Sequence, residues 1–87
     1  MKMIIVIVKD SDADSVNQEL ISKEFRVTRI ASTGGFLRSG VVTLLIGVDD
    51  DRVKDGIKVI REHLGKNKSQ ESSATLFVIP VQRFEQI

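Results

Sequence analysis

Three groups of residues carry side chains that could act on a ligand or substrate. They are the acids Asp10, Asp12 and Asp14 with the run Asp49 to Asp51, the single histidine His63, and the stretch TGGFLRSG from Thr33 to Gly40 with Arg26 and Thr28 upstream of it. The carboxylates are the first candidates, since hard cations take oxygen ligands. The Asp10–Asp14 segment, however, lacks the glycine and distal Glu of a calcium loop, and consecutive acids at a helix start diverge in direction. Capping and the helix dipole account for both acidic groups. His63 stands in the last turn of a predicted helix, where a cation suits the negative helix end. With the single histidine accounted for at a helix end, no Ser-His-Asp triad is supported, and the lack of cysteine excludes a thiolate nucleophile and a Cys-based metal site.

The stretch TGGFLRSG has two readings. Its glycines can simply permit positive φ in a long hairpin. Alternatively, Gly34 and Gly35 expose backbone N–H groups to an anion while Phe36 stacks on a planar base. Arg26 would then meet a phosphate and Thr28 a base edge, which together make a nucleotide pocket. The stretch has no Gly-Lys-Ser/Thr and opens no helix, so it is neither a phosphate-binding Walker loop nor a dinucleotide-fold turn.

These residues need elements to hold them. Met3 to Val8 is a continuous β-branched run that suits a central strand buried on both faces. Ser11 to Glu24 follows as an amphipathic helix, with Asp10 or Ser11 as N-cap and Ala13, Val16 and Leu20 at helical spacing. Phe25 to Ser32 alternates Phe25 and Val27 on one face with Arg26 and Thr28 on the other, the period of a half-exposed strand. Val41 to Val48 is a second β-branched run, in which Gly47 marks a bulge or a close approach. A helix is predicted from about Asp50 to Leu64, with Val53, Ile57, Ile60 and Leu64 on one stripe and Gly65 at C′. A polar loop, Gly65 to Ser73, leads to a last strand, Ala74 to Val81. The order β-α-β-β-α-β predicts an α+β, ferredoxin-like fold, a four-stranded antiparallel sheet with two helices on one face.

Composition bounds the rest. The 87 residues make one domain, residues 1–87, of which 41% are hydrophobic and 29% charged, well away from the regime of disorder. A net charge of +1 gives no general footprint for nucleic acid, so any phosphate site is local. The N-terminal apolar run is too short for a signal-peptide core or a membrane span, which predicts a cytoplasmic protein without membrane partners. A chain this short buries only about 60–65% of its unfolded surface, and its sheet would leave one apolar face uncovered. The expectation is a homo-oligomer whose isolated monomers fold poorly.

MKMIIVIVKD, FRVTRIASTGGFLRSG, IGVDDDRV and ATLFVIPVQRFEQI together resemble the PII-like cyclic di-AMP receptor family, the PstA or DarA type, over most of the chain. The resemblance implies a homotrimer of ferredoxin-like subunits with nucleotide sites in the clefts between them, no enzymatic activity and no cofactor. It further implies that the Gly-Gly-Phe-Leu segment wraps the ligand, that the arginine of the preceding strand holds phosphate, and that the threonine of that strand and the glycine inside the third strand meet an adenine. Those features match Arg26, Thr28, Gly35, Phe36, Leu37 and Gly47 here. Where family members usually carry Asn after Ser/Ala-Gly, this sequence has Val41, which can only contact the ring. The family's long insert before the last strand, ending in Gly-Gly, is replaced by GKNKSQESS, with Ser72 and Ser73 in the last two positions. The function expected is a sensor that binds a cyclic dinucleotide, or a related adenine nucleotide, and alters contact with a protein effector. A PII-like interaction module that binds another adenine nucleotide, or none, is the alternative. A small ferredoxin-like enzyme is disfavoured, because no acid/base pair falls at a predicted cleft.

Overall fold

The computed structural model of the chain describes residues 1–30, 40–64 and 74–87. In chain order these form β1 (Lys2–Lys9), α1 (Asp10–Ser22), β2 (Arg26–Ile30), β3 (Val41–Val48), a 3-10 turn (Asp50–Arg52), α2 (Val53–Leu64) and β4 (Ala74–Pro80). The strands lie in the order β2-β3-β1-β4 with every neighbouring pair antiparallel, the ferredoxin-like α+β arrangement that the element order predicts.

The period-two alternation of the strands divides the sheet into two faces. On β1, Ile4, Val6 and Val8 are buried, and they pack with Val42, Leu44, Ile46 and Val48 of β3 beneath Ala13, Val16 and Leu20 of α1 and Val59 and Ile60 of α2. Both helices therefore cover the same face. The alternate residues Met3, Ile5 and Ile7 are only half-buried, so the expectation that β1 is buried on both faces holds for one of them. Neither of the described helices overlies the other face.

The helix ends depart from the predicted ones in instructive ways. α1 starts at Asp10, with Lys9 in the cap position and no side-chain capping bond, so neither Asp10 nor Ser11 is the N-cap. The amide of Asp10 donates instead to the Gly40 carbonyl (2.8 Å), and its carboxylate turns toward Arg29. At the far end α1 stops at Ser22, short of Glu24. Glu24 takes the left-handed conformation (φ 67°), which lets the Phe25 amide donate to the Leu20 carbonyl at 3.0 Å. The second helix begins as the 3-10 turn, and regular α-helix starts at Val53. Of the predicted stripe, Ile60 is buried while Val53, Ile57 and Leu64 are half-buried. Gly56 and Val59 are buried beside it. A Cβ on Gly56 would stand 3.0 Å from Ile4 Cδ1 and 3.5 Å from the Phe25 ring, so glycine is what allows α2 to pack this closely. Gly65 and the 65–73 loop lie outside the described residues.

Phe25 also carries the junction between the helices. The Arg52 guanidinium lies 4.0 Å above its ring centroid and donates to the Lys23 carbonyl at 3.0 Å, joining the start of α2 to the end of α1. Arg52→Ala is expected to cost about 1 kcal/mol, the scale of one cation–π contact with its hydrogen bond. In a domain of this size that lowers the melting temperature by roughly 4–8 °C in a thermal scan.

Candidate functional site

The uncovered sheet face is where the predicted ligand residues fall. The registers of β2, β3, β1 and β4 lay it out in cross-sheet rows. One row runs Arg26, Gly47, Met3, Ile79; the next Thr28, Leu45, Ile5, Phe77; the third Ile30, Thr43, Ile7, Thr75. Arg26 and Thr28 are exposed at the β2 edge, two residues apart and on the same face. Arg26 makes no ion pair among the described residues, which leaves its planar donor fork free for an anion. Directly opposite it, Gly47 leaves a shallow gap in the sheet surface. The nearest heavy atom to the place a Cβ would occupy there is the Met1 Cε, at 3.5 Å.

Gly47 sits in unbroken register between Met3 and Arg26, so it marks no bulge. Its missing side chain leaves a gap over β3 that the Met1 methyl borders. Arg26, Thr28 and Gly47 thus form one cluster: a cation, a hydroxyl and a bare patch of backbone. That set can hold a phosphate and read the edge or face of a base.

Val41 does not join this cluster. It is half-buried at the start of β3, paired with Lys9, six residues from Gly47 along the same strand. At about 3.3 Å per residue the two ends stand roughly 20 Å apart. The candidate residues therefore occupy two stations on one face, with Thr43 and Leu45 between them. Gly35, Phe36 and Leu37, the other predicted ligand residues, lie outside the described residues.

Three residues escape the sequence reading, two of them at this face. Phe77 is 53% exposed at the opposite end of the Thr28 row, and Ile79 is 39% exposed beside it in the Arg26 row. The edge strand bearing them contains no charged residue. The third is Arg29, which shares β2 with Arg26 but points to the helix side. There its Nη1 lies 2.5 Å from Asp14 Oδ1 and its Nη2 3.9 Å from Asp10 Oδ1. Period-two counting places Arg26 and Arg29 on opposite faces, but the partners of Arg29 are far off in sequence and only the fold reveals them.

Of the other candidates for chemistry, His63 and Asp50 have structural partners. The His63 ring Nδ1 lies 3.1 Å from the Val59 carbonyl one turn back, and its Nε2 lies 3.7 Å from a Glu19 oxygen on α1. Asp50 pairs with the Met1 amino group at 2.9 Å. That hydrogen bond and the charge of the amino group, with a smaller contribution from Lys2, hold the Asp50 carboxyl below its ordinary value. No cluster of ligating side chains with metal geometry occurs among the described residues, and none of their helices is long and apolar enough to cross a membrane.

Comparison with known proteins bears on the fold and the family. One solved structure, described as a functionally unknown protein from Pediococcus pentosaceus ATCC 25745, is 34% identical with a TM-score of 0.80. The match covers 99% of this chain and 96% of that one. The family model described as cyclic-di-AMP receptor matches residues 1–73, a span that takes in β1 to α2 and both stations of the open face. By that match, the chain is a member of the cyclic-di-AMP receptor family.

Proposed function

We propose that residues 1–87 act as one PII-like domain, a non-enzymatic cytoplasmic sensor that assembles as a homotrimer and binds cyclic di-AMP in clefts between neighbouring copies. The observation that carries this reading is the grouping of Arg26, Thr28 and Gly47 at the edge of an apolar sheet face, in a member of a receptor family for that nucleotide. An edge station is where a neighbouring copy can complete a cleft. Arg26 holds phosphate, Thr28 and Gly47 meet one adenine, and Gly35, Phe36 and Leu37 are assigned to the same ligand from sequence. Val41, roughly 20 Å from Gly47, contacts a second base. A ligand with two bases suits two stations better than a mononucleotide does. Occupancy would then alter contact with a protein effector.

Titration calorimetry with cyclic di-AMP, cyclic di-GMP, ATP and AMP tests the assignment. Tight binding of the first alone is the expected result. One observation favours a second reading, an oligomeric interaction module that binds another adenine nucleotide or none: the Val41 side chain offers a base edge no hydrogen bond. Binding of ATP or AMP in preference, or silence for all four ligands with the assembly intact, would select it.

Thr28→Val removes a hydroxyl but little volume, so its effect should fall on base preference. The margin between cyclic di-AMP and cyclic di-GMP is expected to narrow by about fivefold, one neutral hydrogen bond, with the melting temperature unchanged. Competition calorimetry reads that ratio directly.

A further inference from the structure

The N-terminal end of α1 contacts both strands that carry the ligand stations. On β2, Arg29 neighbours Thr28 in sequence and points to the other side of the sheet, into the carboxylates of Asp14 (2.5 Å) and Asp10 (3.9 Å). On β3, Gly40 immediately precedes Val41, and its carbonyl accepts the Asp10 amide at 2.8 Å, which continues the β1–β3 ladder into the start of the helix. Gly40 holds φ +83°, a conformation open to glycine. β2 is a five-residue edge strand, and of its side chains only Val27 and Arg29 point toward the helices. The β2–β3 ladder sets the register of β2 and Val27 packs on the core, while the Arg29 contacts tie the strand's free edge to α1.

We propose that Arg29, Asp14 and Asp10 are positioning residues for ligand binding: the β2–β3 ladder sets the register, and the N-terminal end of α1 braces the β2 edge so that Arg26 and Thr28 keep the orientation toward Gly47 and Val41 that the nucleotide requires. This rests on the proposed nucleotide site and adds to it three residues that touch no ligand. It also accounts for the acids of α1 leaving the N-cap unfilled, since their side chains serve the strand instead of the helix end.

The sign of one substitution separates this role from simple electrostatics. Asp14→Asn removes a negative charge, so charge alone would make an anionic nucleotide bind equally well or more tightly. Loss of positioning makes it bind more weakly, by about threefold, the scale of an exposed ion pair. Asp12→Asn removes the same charge from the same turn without touching Arg29 and is expected to leave affinity at or above the wild-type value. The exchanged pair Asp14→Arg with Arg29→Asp is expected to recover most of the lost affinity. Calorimetry with cyclic di-AMP reads all three, and hydrogen exchange at the amides of Arg26 to Ile30 in ligand-free protein reads the strand itself. Faster exchange in Asp14→Asn but not in Asp12→Asn is the expected result. Unchanged or tighter nucleotide binding by Asp14→Asn overturns the proposal, as does weakening by both variants alike. If the wild-type protein binds no nucleotide, the proposed function fails, and the exchange comparison still decides whether the N-terminal end of α1 braces β2.

Discussion

Replacing Ile5 with Asp is expected to dissolve the assembly while sparing the core beneath the helices. Ile5 lies at the middle of the open sheet face, between Leu45 on β3 and Phe77 on β4. It is half-buried within a single copy, whereas its neighbours Ile4 and Val6, on the other face, are fully buried. Around it the face is apolar: Met3, Ile7 and Leu45 half-buried, Ile30, Phe77 and Ile79 exposed. A patch of this kind on a soluble protein is ordinarily covered, and its threefold repetition about a central axis would cover all three copies at once. An unpaired carboxylate sealed into that contact costs several kcal/mol after relaxation. At about 1.4 kcal/mol per factor of ten, association should weaken by roughly 100-fold or more. Ile21→Asp is the matched control, because Ile21 is 55% exposed on α1, a helix on the covered side of the sheet. Light scattering at low micromolar concentration should show the trimer for wild type and Ile21→Asp and its loss for Ile5→Asp. A folded wild-type monomer at that concentration would sink the assembly.

The contrast between those two isoleucines shows what the sequence could and could not convey. Strand β3 was legible to the residue, Val41 to Val48, because a β-branched run is bounded by a glycine with positive φ on one side and by acids on the other. The faces of β2 were legible too, since Arg26 and Thr28 differ from Val27 by the period of two. What local rules missed was every place where a polar group serves a distant element. Asp10 reads as a cap and is drawn off by Gly40 and Arg29; Glu24 reads as helix and is bent into the left-handed region so that Phe25 can turn into the core. Gly56 lies off the apolar stripe that the sequence displays and is the contact that admits Ile4 and Phe25. The same limit applies to the site. The family resemblance named Arg26, Thr28, Gly47 and Val41 together, and the register shows that Arg26 and Thr28 stand at the Gly47 end of β3, away from Val41.

That separation makes the last prediction a two-ended one. Arg26→Ala removes a charge-assisted contact to phosphate, a loss of about 1.5–3 kcal/mol, so cyclic di-AMP should bind roughly 10- to 150-fold more weakly. The residual binding should also depend less on salt, since one ionic contact has gone. The fold should be unaffected, because the side chain is exposed and has no ion pair among the described residues. Val41→Asn acts at the other end of β3. It supplies an amide that can pair with a base edge, and one buried hydrogen bond of about 1.4 kcal/mol raises affinity tenfold. The two positions share no partner and stand far beyond the range at which substitutions couple, so their effects should add in the double variant. Additivity is the informative part: it requires a single ligand that reaches both stations. AMP, with one base, should respond to Arg26→Ala and ignore Val41→Asn, while cyclic di-AMP responds to both. Calorimetry on the wild type, the two single variants and the double variant, with each of the two ligands, gives the affinities needed. Equal indifference of both ligands to Arg26→Ala would remove the open face as the nucleotide site. A gain from Val41→Asn for AMP as large as for cyclic di-AMP would instead place one base at Val41 and none at Gly47.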